Sequence, residues 1–298
     1  MLKLIPGTCA ILFALALMFE LACAQQPAAK IVLVAGETAK QDTMGHHDYI
    51  AGCKCLDLLL KQTTGVTTEV ILEGWPAENQ AEKILGAARS IVFYTDGGGK
   101  QAFMKSPERI ALMQSLVNRG VGIVMIHQAV DYPNEMADQA KSWLGGIYLN
   151  GASGRGHWPS KHVDFPQHPV SRGVTPWEVN DGWLNGIQFT AGLKGVTPLV
   201  WSGKQYAGSR AGLDPDVVGW VFQRPEGGRS FSFTGLDAHS AWSLTGLRQL
   251  VVNGVLWSAG IEVPQSGAPC AISENELQSL MTPRQPKRAK AKAAKSAE

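Results

Sequence analysis

Gly45-His46-His47-Asp48-Tyr49, Asp96-Gly97-Gly98-Gly99 and His127-Gln128-Ala129-Val130-Asp131 each place a histidine or a carboxylate among turn-forming residues. Imidazole titrates near neutral pH and a neighbouring carboxylate orients it, so such runs suit proton transfer. Taken singly, each has an ordinary structural use. Asp48 can cap a helix, Asp96 with its glycines can make a tight turn, and His127 can hydrogen-bond loop backbone. A second group lies further along, in Gly156-His157-Trp158, Asn180-Asp181-Gly182-Trp183 and Gly235-Leu236-Asp237-Ala238-His239. Tryptophan beside Asp or His suits a sugar pocket, where an aromatic face stacks on C–H-rich pyranose surface and polar groups take the hydroxyls. Nine tryptophans are enough to wall one. His162 and His168 read as surface or turn residues.

The elements between these runs decide whether they meet. Residues 30–35, 67–72 and 90–94 read as strands, with helices over about 48–61 and 79–87 between them. Ser106-Pro107-Glu108 opens the next helix with a cap, a first-turn proline and an acidic first turn, and Arg119-Gly120 closes it. Val121 and Ile123 to Ile126 then form the near-continuous apolar run of a strand buried on both faces. A helix over about 135–143 follows. This alternation, with right-handed crossovers, predicts a three-layer, doubly wound α/β fold with a mostly parallel, flavodoxin-like sheet. Ligands of such sheets bind beyond the carboxyl ends of the strands, where His47, Asp96 and His127 all fall. Residues 146–192, rich in Gly, Pro and Trp, read as one long irregular segment of functional character. Strands over 217–222 and 229–233, joined by Arg224 to Gly228, read as a hairpin. A last helix, about 244–259, turns Leu247, Leu250, Val251 and Val255 to the sheet, with Gly254 allowing a close approach.

The ends of the chain read differently. Residues 1–24 have the pattern of a cleaved Sec-type signal peptide: Lys3, an apolar run over 10–18 too short to span a bilayer, and small residues at Ala22 and Ala24. Glu20 stands where a lipobox needs leucine, so cleavage after Ala24 is favoured over lipidation at Cys23. A periplasmic or secreted protein without a transmembrane segment is the expectation. Residues 282–298 read as a disordered basic tail carrying +5, while the signal segment sums to zero. The total of +2 therefore leaves −3 for the α/β domain, residues 25–281. The pI of about 8.2 belongs to the tail. It suits contact with anionic envelope components and gives no support for a nucleic-acid partner. Cys53 and Cys55 sit at i, i+2 on a helix and face apart, which leaves free thiols or a bridge from one of them to Cys270 open. No Walker loop, GxSxG elbow or GxGxxG follows the first strand, so no nucleotide cofactor is expected.

In order and spacing, several runs resemble the ThuA-like (trehalose-utilisation) family of the class I glutamine amidotransferase-like superfamily, over about Lys30 to Pro264. They are Gly45 to Asp48, Asp96 to Gly99, Gly120 to Ala129, Trp143 to Gly146, His168 to Gly173, Asp181 with Trp183, Gly228 to Gly235 with His239, and Asn253 to Gly260. The place of the amidotransferase nucleophilic cysteine is taken by His127, so thiolate chemistry on glutamine is not expected. The resemblance implies carbohydrate catabolism and a small-molecule carbohydrate substrate, a glycoside or 3-keto-sugar, acted on by acid/base elimination or hydrolysis. In that reading His127 is the general base, and Asp96, Asp131 and His47 support it. Asp48, Gly98, His157, Trp158, Asp181, Trp183 and His239 bind the sugar. A divalent metal held among His47, Asp48, His127 and His239 could polarise a ketone. The alternatives are a non-catalytic sugar-binding protein and a metal-dependent hydrolase. The chain departs from secreted members of the family at Tyr49 and Gln101, where histidines are common, and at Gly182, where an acidic residue precedes the tryptophan.

Overall fold

The computed structural model describes residues 28–37, 45–204 and 216–283. The signal-peptide expectation, and all of the tail beyond Pro283, lie outside the described residues. In chain order the elements are β1 (Ala29–Ala35), α1 (Tyr49–Leu60), β2 (Val66–Ile71), α2 (Glu78–Gly86), β3 (Ser90–Tyr94), α3 (Pro107–Asn118), β4 (Gly122–Ile126), β5 (Asp131–Tyr132), α4 (Ala137–Leu144), β6 (Gly146–Leu149), β7 (Gly154–His162), β8 (Trp177–Asn185), β9 (Gln188–Phe189), β10 (Val196–Trp201), β11 (Val217–Gln223), β12 (Arg229–Phe233), α5 (Thr245–Ser258) and α6 (Glu274–Leu280).

The central sheet runs β2-β1-β3-β4-β12-β11-β10. The five strands from β2 to β12 are parallel, and β11 is antiparallel to both of its neighbours. This is the flavodoxin strand order with a two-strand antiparallel extension. All of β3 and β4 is buried, as their unbroken apolar sequences require. Two apolar layers flank the sheet. One gathers Leu56 and Leu59 of α1 with Leu247, Val251 and Val255 of α5. The other gathers Met113 and Leu116 of α3 with Trp143 and Leu144 of α4.

Local signals act where the sequence places them. Ser106 Oγ accepts the Arg109 N–H at 3.3 Å to start α3. A Cβ on Gly254 would overlap the Phe231 ring, so this glycine lets α5 lie against β12. Cys53, Cys55 and Cys270 are buried free thiols. Among the described residues, no helix is long and apolar enough to cross a membrane.

One expectation is corrected. Residues 146–192 are largely ordered β-structure: β7 and β8 pair antiparallel from Gly154↔Asn185 to His162↔Trp177. The glycines and Pro159 hide the strands, but Trp158, Ser160 and His162 are buried at alternate positions of β7, the period of a half-buried strand. This ribbon stands over the carboxyl edge of the main sheet.

Candidate functional site

The site is assembled from the ends of four parallel strands and from the β7–β8 ribbon. His47 follows β1, Asp96 follows β3, His127 follows β4 and Asp237 follows β12. The Asp237 carboxylate is the hub. Its Oδ1 lies 2.9 Å from His47 Nε2 and 3.4 Å from His127 Nε2, while its Oδ2 lies 2.8 Å from His46 Nδ1 and 2.6 Å from His157 Nε2. Four imidazoles thus surround one buried carboxylate.

Local backbone explains the convergence. His46 bridges antiparallel to Ala238, His47 N–H donates to Asp237 O at 2.9 Å, and His239 N–H donates to Gly45 O at 2.8 Å. His47, His127 and Leu236 all have positive φ, at 53°, 58° and 68°. A non-glycine residue held there costs on the order of 1–3 kcal/mol, and such strain collects at functional sites. Asp181 fixes the β12 loop from below: its carboxylate accepts the N–H of Leu236 at 2.6 Å, Ala238 at 3.0 Å and Gly182 at 2.9 Å.

Two imidazoles have their outer nitrogens tied down. His127 Nδ1 donates to Thr234 O at 3.0 Å. His47 Nδ1 lies 3.2 Å from Asp96 Oδ1, which also accepts the Tyr49 hydroxyl at 2.6 Å. Both rings therefore point Nε2 at Asp237. His127 Nε2 and Asp237 Oδ1 are buried and neither makes an aligned hydrogen bond. The Asp237 carboxylate and then Asp96 raise His47 to about 9, so it is an imidazolium at neutral pH. The His47 ring, ahead of Tyr49, holds Asp96 down to about 2 against the effect of burial. Burial alone would raise Asp237, but His127, His47 and His46 outweigh it and keep the group ionised.

A cavity of about 250 Å³ opens on this cluster, lined by His47, His127, Gln128, His157, Trp183 and Asp237, with Arg155 and Leu184 at its side. That is below the about 300–1,000 Å³ of drug-sized sites and suits one small ring or fragment. His46 and Asp237 stand in two of the runs singled out in the sequence but carry no role in the set the resemblance implies, and Gln128 and Arg155 carry none either. A role for Asp237 was within reach of the sequence, since it ends the loop after a strand parallel to β4, but a hairpin reading of β11 and β12 does not say which edge β12 points to.

Other expected site residues have different places. Asp48 caps α1 and accepts Thr282 N–H at 2.8 Å and Thr282 hydroxyl at 2.7 Å. His239 is buried with Nε2 against Leu277 O at 3.1 Å, and burial lowers its pKa. Among the described residues, neither belongs to a group whose donor atoms could share an ion, which differs from the expected ligand set; the groups found there are His47–His127–Asp237 and His46–His157–Asp237. Gly98 holds the Asp131 loop through a 2.8 Å backbone bond, and Trp158 contributes its carbonyl to the Trp183 indole at 3.1 Å. Asp181, fully buried, is structural. Asp131 meets the cavity only through Arg155, 3.5 Å away, and burial raises it to about 6. Burial lowers His162 to about 4 as it packs on Trp177 and Trp183, so it is a core residue and not a surface one. Where the sequence departs from secreted members, Tyr49 bonds Asp96, and Gln101 Nε2 holds Asp131 O at 2.7 Å. A Cβ on Gly182 would lie 2.5 Å from Asp237 Oδ2, so an acidic residue would not fit there without displacing the hub.

A flavodoxin-like sheet with a charged cluster at its carboxyl edge, and with His127 at the turn after β4, defines a doubly wound α/β protein with its candidate site where such sheets bind ligands. The chain belongs to the ThuA family, described as trehalose utilisation, whose sequence model matches residues 32–258. No curated protein matches the sequence. Among solved structures, a ThuA-like protein from Bacteroides uniformis superposes with a TM-score of 0.56 at 15% identity, covering 83% of this chain and 97% of the other. One from Parabacteroides merdae gives 0.55 at 13% identity, covering 81% and 96%. At these identities the likeness concerns the fold. The family places the protein in a carbohydrate-utilisation context.

Proposed function

We propose that the protein, in a periplasmic or secreted setting, acts on a glycoside or its 3-keto form by acid/base elimination or hydrolysis. The observation that carries this reading is the Asp237 carboxylate ringed by imidazoles at the floor of a small cavity. Trp183 is buried against Trp158, His162 and Phe233 and supports the cavity from behind, while Arg155 and Gln128 offer donors to sugar hydroxyls. The base role expected of His127 moves to His157. His157 is the more open of the two, lines the cavity, and is oriented by Asp237 at 2.6 Å. A ketone acidifies the neighbouring C–H. His157 takes that proton, the electron pair forms an enolate, and the glycosidic oxygen leaves from the adjacent carbon with a proton returned from the site. The protonated His47, beside His127, supplies the positive pole that stabilises the enolate oxygen.

The test is incubation of the protein lacking residues 1–24 with glycosides and their 3-keto forms, read by mass spectrometry. Product from the keto forms alone, lost by at least about 100-fold in His157→Ala with the fold intact, is the expected outcome. No product from any sugar in folded protein would overturn the enzymatic reading in favour of sugar binding.

A further inference from the structure

The buried half of the cluster has a feature that proton transfer does not use. His127 Nε2 and Asp237 Oδ1 face each other at 3.4 Å, both in side chains more than nine-tenths buried, and neither has an aligned hydrogen-bond partner. His127 gives its Nδ1 proton to Thr234 O, so in the neutral ring Nε2 presents a lone pair to a carboxylate lone pair. Asp237 Oδ1 also faces His47 Nε2 at 2.9 Å, so the three groups share one positive charge, either a proton on an imidazole or a metal ion in its place.

We infer that His47, His127 and Asp237 form a binding site for one divalent first-row transition ion. Two donors held 2.0–2.1 Å from one ion are roughly 2.9 Å apart at a right angle and roughly 3.4 Å apart at the tetrahedral angle. The two imidazole nitrogens stand 2.9 and 3.4 Å from Oδ1, and all three donor atoms lie within 4.8 Å of one another. The surroundings fit as well. Ligating histidines as a rule donate their second ring nitrogen to a carboxylate or a backbone carbonyl, which fixes the tautomer. His47 does this to Asp96, itself held by Tyr49, and His127 does it to Thr234. Two imidazoles and one carboxylate with open positions are a donor set for zinc or ferrous iron, and a poor one for magnesium or calcium. The second triad, His46–His157–Asp237, is more open and is left to proton transfer. The ion would take over the positive pole assigned above to His47. The site is measured without any sugar, so it stands or falls separately from the proposed activity.

The experiment is to strip the purified protein with chelator, load it with Zn²⁺, desalt it and count zinc per chain by elemental analysis. Thermal shift and the visible spectrum of the Co²⁺-loaded protein are read alongside. The expected result is one Zn²⁺ per chain, a higher Tm with Zn²⁺ but not with Mg²⁺, and retention of that one ion in His157→Ala. Loss of the ion is expected in His47→Ala and in His127→Gln, with a 10–100-fold weaker affinity in Asp96→Asn, which touches no ion. Should one of these variants fail to fold, the others carry the same comparison. Less than about one-tenth of an ion per chain in folded wild-type protein would overturn the inference. So would loss of the ion in His157→Ala together with its retention in His47→Ala.

Discussion

At the scale of single residues, the site is a set of opposed charges, and its proton affinities give predictions with a definite sign. His47 has a folded value of about 9 against 6.5 for a free imidazole. A raised histidine contributes stability that is fully present below pH 6.5 and is lost as pH rises through about 9. The Tm difference between the protein and its His47→Gln variant, both freed of metal by chelator, should therefore be widest below pH 6.5 and narrow toward pH 9. A difference that grows with pH would contradict the ion pair. Asp131 behaves in the opposite way to an ordinary paired carboxylate. Burial raises it from 3.8 to about 6, so its ionised form costs stability above that pH. Asp131→Asn is expected to stabilise the protein by on the order of 2–3 kcal/mol at pH 8, with the gain vanishing near pH 4. Thermal melts at the two pH values check this, and a loss at pH 8 would mean that Arg155 needs the charge.

At the scale of elements, the sequence spoke clearly wherever burial was two-sided. The strands β1, β3 and β4 follow from apolar runs and the helix before β4 from Ser106 and Gly120, and the run at Val121–Ile126 puts His127 at a strand end, while β2 is an edge strand with no fully buried residue. The β7–β8 ribbon was not legible in the same way. It is a two-stranded arm with polar and glycine positions on its open face, and Pro159 pairs with Asn180 inside it. Asp181 was read as a sugar ligand because it adjoins a tryptophan. Its neighbours in sequence gave no hint that its carboxylate would hold a loop 55 residues away. Asp181→Ala leaves the Leu236 and Ala238 N–H groups without their acceptor. The expected cost is about 2–4 kcal/mol in denaturant unfolding, together with loss of turnover, because Asp237 is carried on that loop. Unchanged activity would show that the loop keeps its shape without Asp181.

At the scale of the whole molecule, the site is clamped from the C-terminal side by a piece that the sequence reading overlooked. Ser273 and Glu276 form a capping box, so α6 starts as a self-contained helix of seven residues. Its single buried side chain, Leu277, joins the core beneath α1 and α5, and its carbonyl receives His239. Thr282 then bonds Asp48, the residue beside His47. A short helix is marginal by itself, so this clamp depends on Leu277 for its hold. Leu277→Ala is expected to cost about 2–4 kcal/mol, and at about 2–4 °C per kcal/mol for a domain of this size the Tm falls by several degrees. Because the clamp reaches the loops that carry His46, His47 and His239, the same substitution should lower the affinity for Zn²⁺ as well as the Tm. An equal fall in Tm with unchanged zinc binding would mean that the loops after β1 and β12 hold their positions through the His46–Ala238 bridge alone.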